Sequence, residues 1–456
     1  MELRGKKVLV VGLGRSGLAA ALFLRRRGAQ VTVSDIRSAE QLGKDIPALL
    51  EEGIAVEAGG HGLLTFRRQD LIVVSPGVPL DTPELVQVKA FGLPIIGELE
   101  LASYYLKGKS LAITGSNGKT TTTALCGAIL EADKLPVQVG GNIGVPVIAL
   151  VDQSRDDGWS VLEVSSFQLE TIQTFRPKVS VVLNITPDHL DRHRTFAAYT
   201  DAKARIFENQ QAEDFAVLNA DDAPTAGLAA RTRAQIFWFS RKDEVKQGAY
   251  VRDGRLLFRD KGGQREVMLV SEIPLKGAHN VENTLAAVCV GALMGCETGR
   301  IREAVRNFKA VEHRLEYVAT IRGVEYYNDS KATNVDATIK ALESFPANVH
   351  LILGGKDKDS DYSLLNDLLR QRVKRVYTIG SAAGKIESQI KGVEVDHAET
   401  LETALRHAAA TAEVGDIVLL APACASFDQF RNYEHRGRVF KEVVRALGAE
   451  AQYEPR

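Results

Sequence analysis

Long apolar runs are missing from this 456-residue chain, and no stretch approaches the roughly 20 residues that a membrane-spanning helix needs. A surplus of charge is missing too. Its 57 basic and 58 acidic side chains leave a net charge of −1, whereas nucleic-acid binders carry a basic excess. Cysteine is scarce: Cys126, Cys289, Cys296 and Cys424 show no paired metal-ligand spacing, and three sit among Ala, Leu, Val and Gly. They read as buried thiols in a reducing compartment. The opening residues Met1 to Lys7 are polar and run straight into a strand-like segment, without the pattern of a secretion signal. Internal repeats and low-complexity linkers are absent as well. A cytoplasmic protein with neither nucleic-acid nor membrane partners is expected.

What is present points to a globular enzyme of several domains. The chain is about 45% apolar and a quarter charged, and its length exceeds one ordinary core. Lys7 to Val11 is a β-rich run ending in Gly12-Leu13-Gly14-Arg15-Ser16-Gly17, followed by a helical stretch, Leu18 to Arg27, and a second strand, Gln30 to Asp35. That is the strand–turn–helix–strand of a Rossmann-like unit. A second unit opens with the strand Ser110 to Thr114, a glycine loop and a helix from about Thr120 to Glu131. Buried-looking strands recur at Ser160–Val164, Val179–Leu183 and Phe215–Asn219. Between Ile236 and Val270 short alternating strands replace them, and Asp253-Gly254 marks a tight hairpin in a small antiparallel appendage. A helix from Val281 to Leu293 restores the α/β pattern. The third unit carries strands at Tyr317–Ile321, Val324–Tyr327, Val349–Leu353, Arg375–Ile379 and Ile417–Leu420, with helices between the later ones. The expected fold is α/β with three domains, at 1–108, 109–312 and 313–456. Rossmann-like N-terminal and C-terminal units flank a central P-loop mononucleotide-binding domain.

Gly115-Ser116-Asn117-Gly118-Lys119-Thr120, followed by Thr121, lies between a strand and a helix. Glycines let backbone N–H groups turn toward an anion, and the helix N-terminus adds a favourable dipole. Lys119 would reach the β- and γ-phosphates and Thr120 would bind Mg²⁺, although two residues separate the glycines here instead of the usual four. No Asn-Lys-x-Asp guanine reader accompanies the loop, so ATP is favoured over GTP. Glu163 closes one strand, and Asp188-His189-Leu190-Asp191 follows another. In open α/β sheets ligands gather at such strand ends. A single His is usually structural and a strand-end Glu is often solvated, but together with the loop they mark one site.

Thr114 to Thr120, Glu163-Val164-Ser165-Ser166 and Asp188-His189-Leu190-Asp191 resemble the Mur ligase superfamily. Ser165-Ser166-Phe167-Gln168-Leu169-Glu170 and Asp191-Arg192-His193 are similar to its D-glutamate-adding branch, as are His313-Arg314-Leu315-Glu316, Asn328 to Asn334 and Pro422 to Phe430. The resemblance implies an ATP-dependent ligase of peptidoglycan precursor synthesis, working as a monomer. It would join D-glutamate to UDP-N-acetylmuramoyl-L-alanine through an acyl phosphate. Lys119, His189 and Lys203 would be catalytic. Thr120 and Glu163 would hold one Mg²⁺; His189 and a Lys203 carbamylated by CO₂ would hold a second, where Mn²⁺ could substitute. Asn280, Asn283, Arg314 and Asp329 would complete the ATP site. Arg15, Ser16, Asp35, Arg37, Ser75, Gly77, Asn142 and His189 would take the UDP-substrate. Thr333, Lys358, Ser426 and Tyr433 would take D-glutamate, with Lys356 a rival to Lys358.

Several of these residues also have plainer readings. Gly12-x-Gly14-x-x-Gly17 with Asp35 is the dinucleotide pattern, which taken alone points to an NAD-dependent dehydrogenase. Lys203 reads as an exposed lysine on an amphipathic helix, and Asn280 as a helix N-cap. Other Mur-type or folylpolyglutamate-type ligases, and a nucleotide-binding regulator without amide chemistry, are the remaining alternatives.

Overall fold

The computed structural model describes residues 1–43, 45–309 and 311–453, with side chains to Glu450. It divides into two compact units. The first comprises Met1–Ile185, Ala197–Leu269 and Leu285–Val305; the second comprises Thr186–Phe196, Val270–Thr284 and the chain from Arg306 onward.

The first unit contains two sheets. In one, five parallel strands lie in the order Ala55–Ala58, Gln30–Asp35, Lys7–Val11, Leu71–Val74, Ile95–Gly97. The chain leaves the central strand Lys7–Val11 through the glycine turn into the helix Arg15–Arg26. That helix buries Ala20, Ala21, Phe23 and Leu24, and a Cβ at Gly17 would run into the Gly12 carbonyl. Strand order reverses beside Lys7–Val11, so a crevice opens at the carboxyl ends of this strand and Leu71–Val74.

The other sheet has nine strands. Lys109–Thr114 pairs in parallel with Trp159–Glu163 on one side and Val179–Val182 on the other. The row continues from Val179–Val182 through Phe215–Asn219 and Gln235–Ser240 to Gly248–Arg252, Arg255–Asp260 and Gly263–Leu269. The last three pair antiparallel in succession, the first two joined by Asp253 and Gly254, whose φ values of +50° and +70° suit a tight hairpin turn. They are not a separate appendage. Gly248–Arg252 pairs in parallel with Gln235–Ser240 and extends the same sheet.

The second unit has a six-stranded sheet in the order Glu316–Ile321, Val324–Asn328, Ile417–Leu420, Val349–Gly354, Val373–Ile379, Glu394–Glu399. Only the first pair is antiparallel. Leu351 and Leu353 face one core, and Ile352 faces another with Tyr377 and Val418. Burial on both faces is why these strands read as continuous apolar runs. The expected α/β class holds in all three sheets. All four cysteines are free and buried, and among the described residues no helix is long and apolar enough to cross a membrane.

Candidate active site

The phosphate loop leaves the strand Lys109–Thr114 and enters the helix Lys119–Ala132, whose N-terminus has no side-chain cap. Gly118 has φ +84°, a left-handed turn that glycine makes without a Cβ clash. Asn184, which the sequence reading gave no role, braces the loop. Its carbonyl accepts from Ser116 N–H (2.8 Å), its Oδ1 accepts from Asn117 N–H (2.8 Å), and its Nδ2 donates to the Asn117 carbonyl (3.1 Å). Lys119 Nζ curls back over the loop and donates to the Gly115 and Ser116 carbonyls at 2.8 and 2.7 Å. The result is a helix N-terminus and an ammonium group held at one concave turn, an anion site by construction.

Beside it, Thr120 Oγ1 donates to Glu163 Oε2 (2.8 Å) and Asn142 Nδ2 donates to Glu163 Oε1 (3.0 Å). Glu163 is not solvated; it is 1% exposed. Lys203 overturns its sequence reading in the same way. The helix Phe196–Ala204 buries it together with Tyr199, Ala202 and Ala204. Its Nζ donates to the Gly115 carbonyl (2.9 Å) and lies 4.6 Å from the centre of the Tyr199 ring. A buried ammonium needs such partners. The Tyr199 hydroxyl lies 3.1 Å from Ser116 Oγ, so this helix and the loop form one assembly.

At the first sheet's switch point lies a cavity of about 570 Å³, lined by Gly12 to Ser16, Asp35 to Arg37, His61, Ser75 to Pro79, Thr82 and Asn142. It gathers every first-unit residue expected at the UDP-substrate, and adds His61, which the sequence reading passed over. The Asp35 carboxylate accepts from Leu13 N–H (2.6 Å), Arg37 N–H (2.9 Å), Arg37 Nε (3.0 Å) and Arg37 Nη2 (2.8 Å). Burial alone would raise its pKa, but these donors outweigh it and hold the group at about 2. With all four lone-pair positions used, Asp35 has none left for the ribose contact of a dinucleotide site.

In the second unit Asp188 is a hub. It accepts from the His189 backbone N–H (2.9 Å) and Asn334 Nδ2 (3.0 Å), and Lys358 Nζ lies 3.6 Å from Oδ1. The two rival lysines therefore differ: Lys358 is half-buried against Asp188, while Lys356 pairs its backbone with Ala425 and is exposed. Asn280 is not an N-cap, because the helix begins two residues earlier at Ala278. Its Nδ2 donates to the Lys276 carbonyl (2.6 Å), and its Oδ1 accepts from Asn283 Nδ2 (3.0 Å). Arg314 sits between His313 and Leu315, both in left-handed conformations (φ +65° and +42°). Arg314 Nε and Asp329 Oδ1 are buried without a hydrogen-bond partner among the described residues. Burial raises Asp329 to about 6 against the opposing charge of Arg314. Orphaned atoms of this kind invite a ligand.

Thr333, Ser426 and Tyr433 lie on segments braced by Arg436, a third residue that sequence reading passed over. Its fully buried guanidinium donates to the Ser330 hydroxyl (3.0 Å) and to the Ser330 and Cys424 carbonyls (2.8 and 3.1 Å). Nothing in the sequence distinguishes it from a solvated helix arginine.

Three family models match successive parts of the chain. The family model described as "Mur ligase MurD-like, N-terminal domain" matches residues 6–97, "Mur ligase middle domain" matches 113–291, and "Mur ligase, glutamate ligase domain" matches 313–424. A UDP-N-acetylmuramoylalanine–D-glutamate ligase from Acidobacterium capsulatum is 69% identical, covering 98% of this chain and 97% of the relative. The Koribacter versatilis protein of the same name is 63% identical over 98% of this chain and 99% of its own length. Among solved structures, a MurF ligase from Thermotoga maritima in complex with ADP has the same fold. It aligns with a TM-score of 0.61 at 17% identity, covering 98% of this chain and 96% of that one.

Proposed function

The chain belongs to the Mur ligase family, and from that premise we propose that it is the ATP-dependent ligase adding D-glutamate to UDP-N-acetylmuramoyl-L-alanine. The observation that carries the reading is 69% identity, over nearly the full length of both chains, to a ligase of that name. The reaction belongs to peptidoglycan precursor synthesis. ATP phosphorylates the substrate carboxylate, and the amine of D-glutamate displaces phosphate from the acyl phosphate to leave an amide.

The chemical difficulty is charge. A carboxylate must approach the γ-phosphate, so repulsion between two anions must be neutralised in place. Lys119 and the helix N-terminus at Gly118 answer that need for the β- and γ-phosphates, and Gly115 to Thr121 cradle them. The pair Thr120 and Glu163 offers hard oxygen donors beside the loop, and among the described residues no three His, Cys, Asp or Glu form a metal cage. That donor set suits an ion taking most of its ligands from phosphates and water, as Mg²⁺ does. An Mg²⁺ held by Thr120 and Glu163 would supply charge neutralisation for the phosphoryl transfer. Asn142 keeps Glu163 oriented.

For a second ion, which Mn²⁺ could replace, we assign His189 and Lys203. A carbamate on Lys203 would keep one N–H for the Gly115 carbonyl and add two oxygens that share one negative charge. Asn280, Asn283, Arg314 and Asp329 are assigned to the rest of ATP, and the orphaned Arg314 Nε and Asp329 Oδ1 support that. The cavity of the first sheet is assigned to the UDP portion through Arg15, Ser16, Asp35, Arg37, Ser75, Gly77 and Asn142, and His189 is assigned to the same substrate. Thr333, Lys358, Ser426 and Tyr433 are assigned to D-glutamate, and the burial of Lys358 favours it over Lys356. We read the enzyme as a cytoplasmic monomer acting on small molecules, with domains at 1–108, 109–312 and 313–456.

The test is phosphate release from ATP with UDP-N-acetylmuramoyl-L-alanine across a panel of amino acids that includes both glutamate enantiomers. Release with D-glutamate only, with the matching product mass, is the expected result. Release with another acceptor would discard the substrate and keep the ligase. No release with any acceptor would leave a nucleotide-binding regulator.

A further inference from the structure

The cavity of the first sheet contains a histidine to which the chemistry above gives no task. His61 lines it beside Asp35, Ile36 and Arg37. The two preceding glycines pin its backbone. Gly59 N–H donates to the Asp35 and Arg37 carbonyls (3.1 and 2.8 Å), and Gly60 N–H donates to Asp35 (3.3 Å). Gly59 and Gly60 have φ of +86° and +152°, values that residues with a Cβ resist. The ring is held as well: Nδ1 lies 2.8 Å from Ser34 Oγ, and the imidazole meets Phe66 edge-on at 5.6 Å.

The surroundings of Ser34 decide the tautomer. Ser34 Oγ also lies 3.1 Å from Glu57 Oε2 and 3.4 Å from the Gly60 carbonyl, and an ionised carboxylate or a carbonyl can only accept. The one hydroxyl proton therefore goes to that side, toward the nearer charged Glu57, and Ser34 accepts from His61 Nδ1–H. The neutral ring then carries its lone pair on Nε2, which has no partner among the described residues. Asp35, the carboxylate nearby, is no competitor as an acceptor, because Leu13 and Arg37 already use all four of its positions. Arg37 spends Nε and Nη2 on Asp35 and Leu13, which leaves Nη1 as a donor.

The pocket thus presents an acceptor and a donor on neighbouring side chains. Uracil offers the complement, with N3–H between two carbonyl oxygens; cytosine has a bare ring nitrogen and an amino group there. We propose that His61 reads the uracil of the UDP-linked substrate by accepting its N3–H, while Arg37 donates to an adjacent carbonyl oxygen, so that uridine is selected over cytidine. The inference rests on the assignment of this cavity to the UDP portion.

The experiment compares initial rates of D-glutamate-dependent phosphate release for UDP-N-acetylmuramoyl-L-alanine and its N3-methyluridine analogue. Wild-type protein, H61A and H61F are used; Phe keeps a ring against Phe66 and lacks the acceptor, which guards against a mere folding defect. Loss of one hydrogen bond in a desolvated pocket predicts a KM for the methylated substrate raised roughly tenfold in the wild type. Both variants should raise KM for the parent substrate by a similar factor, with the effect on KM and not on kcat. Their ratio of the two KM values should fall toward one. Variants that keep the wild-type ratio would overturn the inference while leaving the UDP assignment standing. A wild-type chain that neither turns over the UDP-linked substrate nor is protected from melting by UDP would remove the assignment itself, and the inference with it.

Discussion

Replacing Glu98 by Gln should stabilise the first unit at alkaline pH and do little in acid. Glu98 starts the short helix after the strand Ile95–Gly97 and is 1% exposed. Its Oε1 accepts from Ile148 N–H (2.6 Å), whereas Oε2 has no hydrogen-bond partner among the described residues. Burial raises its pKa from 4.5 to about 7, against hydrogen bonds from Ile148, Gln168 and Val147 that pull it down. The folded state therefore holds a proton that the unfolded chain releases, and stability falls as pH climbs from 4.5 to about 7. At 1.36 kcal/mol per unit, the full cost above that range is about 3 kcal/mol, and it vanishes below 4.5. Glutamine keeps the acceptor for Ile148 and carries no charge. The assay is urea unfolding of both proteins at about pH 5 and about pH 8, followed by tryptophan fluorescence. Trp159 and Trp238, the only two tryptophans, both lie in the first unit. The stability of E98Q relative to wild type should rise between the two pH values by up to about 3 kcal/mol. A difference that is the same at both would show that Glu98 titrates as in the unfolded chain, and the reasoning would fail.

Glu163→Gln should lower turnover by roughly 10²-fold and raise the magnesium concentration needed, because one anionic oxygen facing Thr120 or Asn142 becomes an amide; a magnesium titration of phosphate release checks both. Asp35→Asn should raise KM for the UDP-linked substrate about tenfold by loosening Arg37 and Leu13. Since Asp35 sits near 2 when folded, its support is present above the ordinary 3.8 and is lost only as pH falls toward 2; KM profiles over neutral pH should show no titration from it. Lys203→Ala should abolish turnover, and a short carboxylic acid should restore part of it if a carbamate is the working group. Full activity of that variant would remove Lys203 from the chemistry.

The strands that carry the site were legible because a strand buried on both faces leaves an uninterrupted apolar run: Phe215–Asn219 and Ile417–Leu420 end where sequence pattern alone places them. Edge strands left weaker traces. Ala55–Ala58 and Glu394–Glu399 alternate with polar residues and lie half in water, and the sequence reading names no strand there. The phosphate loop was legible from two glycines, a lysine and a threonine between strand and helix, yet its brace was not, since Asn184 looks like any strand-end asparagine. Lys203 failed for a different reason. The helix around it has polar residues on several sides, and only tertiary packing against Gly115 and Tyr199 reveals that the lysine points inward. His61 did carry a signal, a histidine preceded by two glycines and followed by a third after a short strand. That signal becomes readable once Gly59 and Gly60 are seen to bind the Asp35 and Arg37 carbonyls.

Activation of the substrate carboxylate by phosphoryl transfer moves a carboxylate oxygen onto phosphorus, and an isotope label follows that oxygen. UDP-N-acetylmuramoyl-L-alanine carrying ¹⁸O in both carboxylate oxygens is turned over with ATP and D-glutamate, and the released phosphate is examined by mass spectrometry. Attack of a labelled oxygen on the γ-phosphorus, followed by displacement of phosphate by the amine, moves one ¹⁸O into each phosphate and leaves the other in the new amide. Phosphate free of label, with product still formed, would rule out an acyl phosphate.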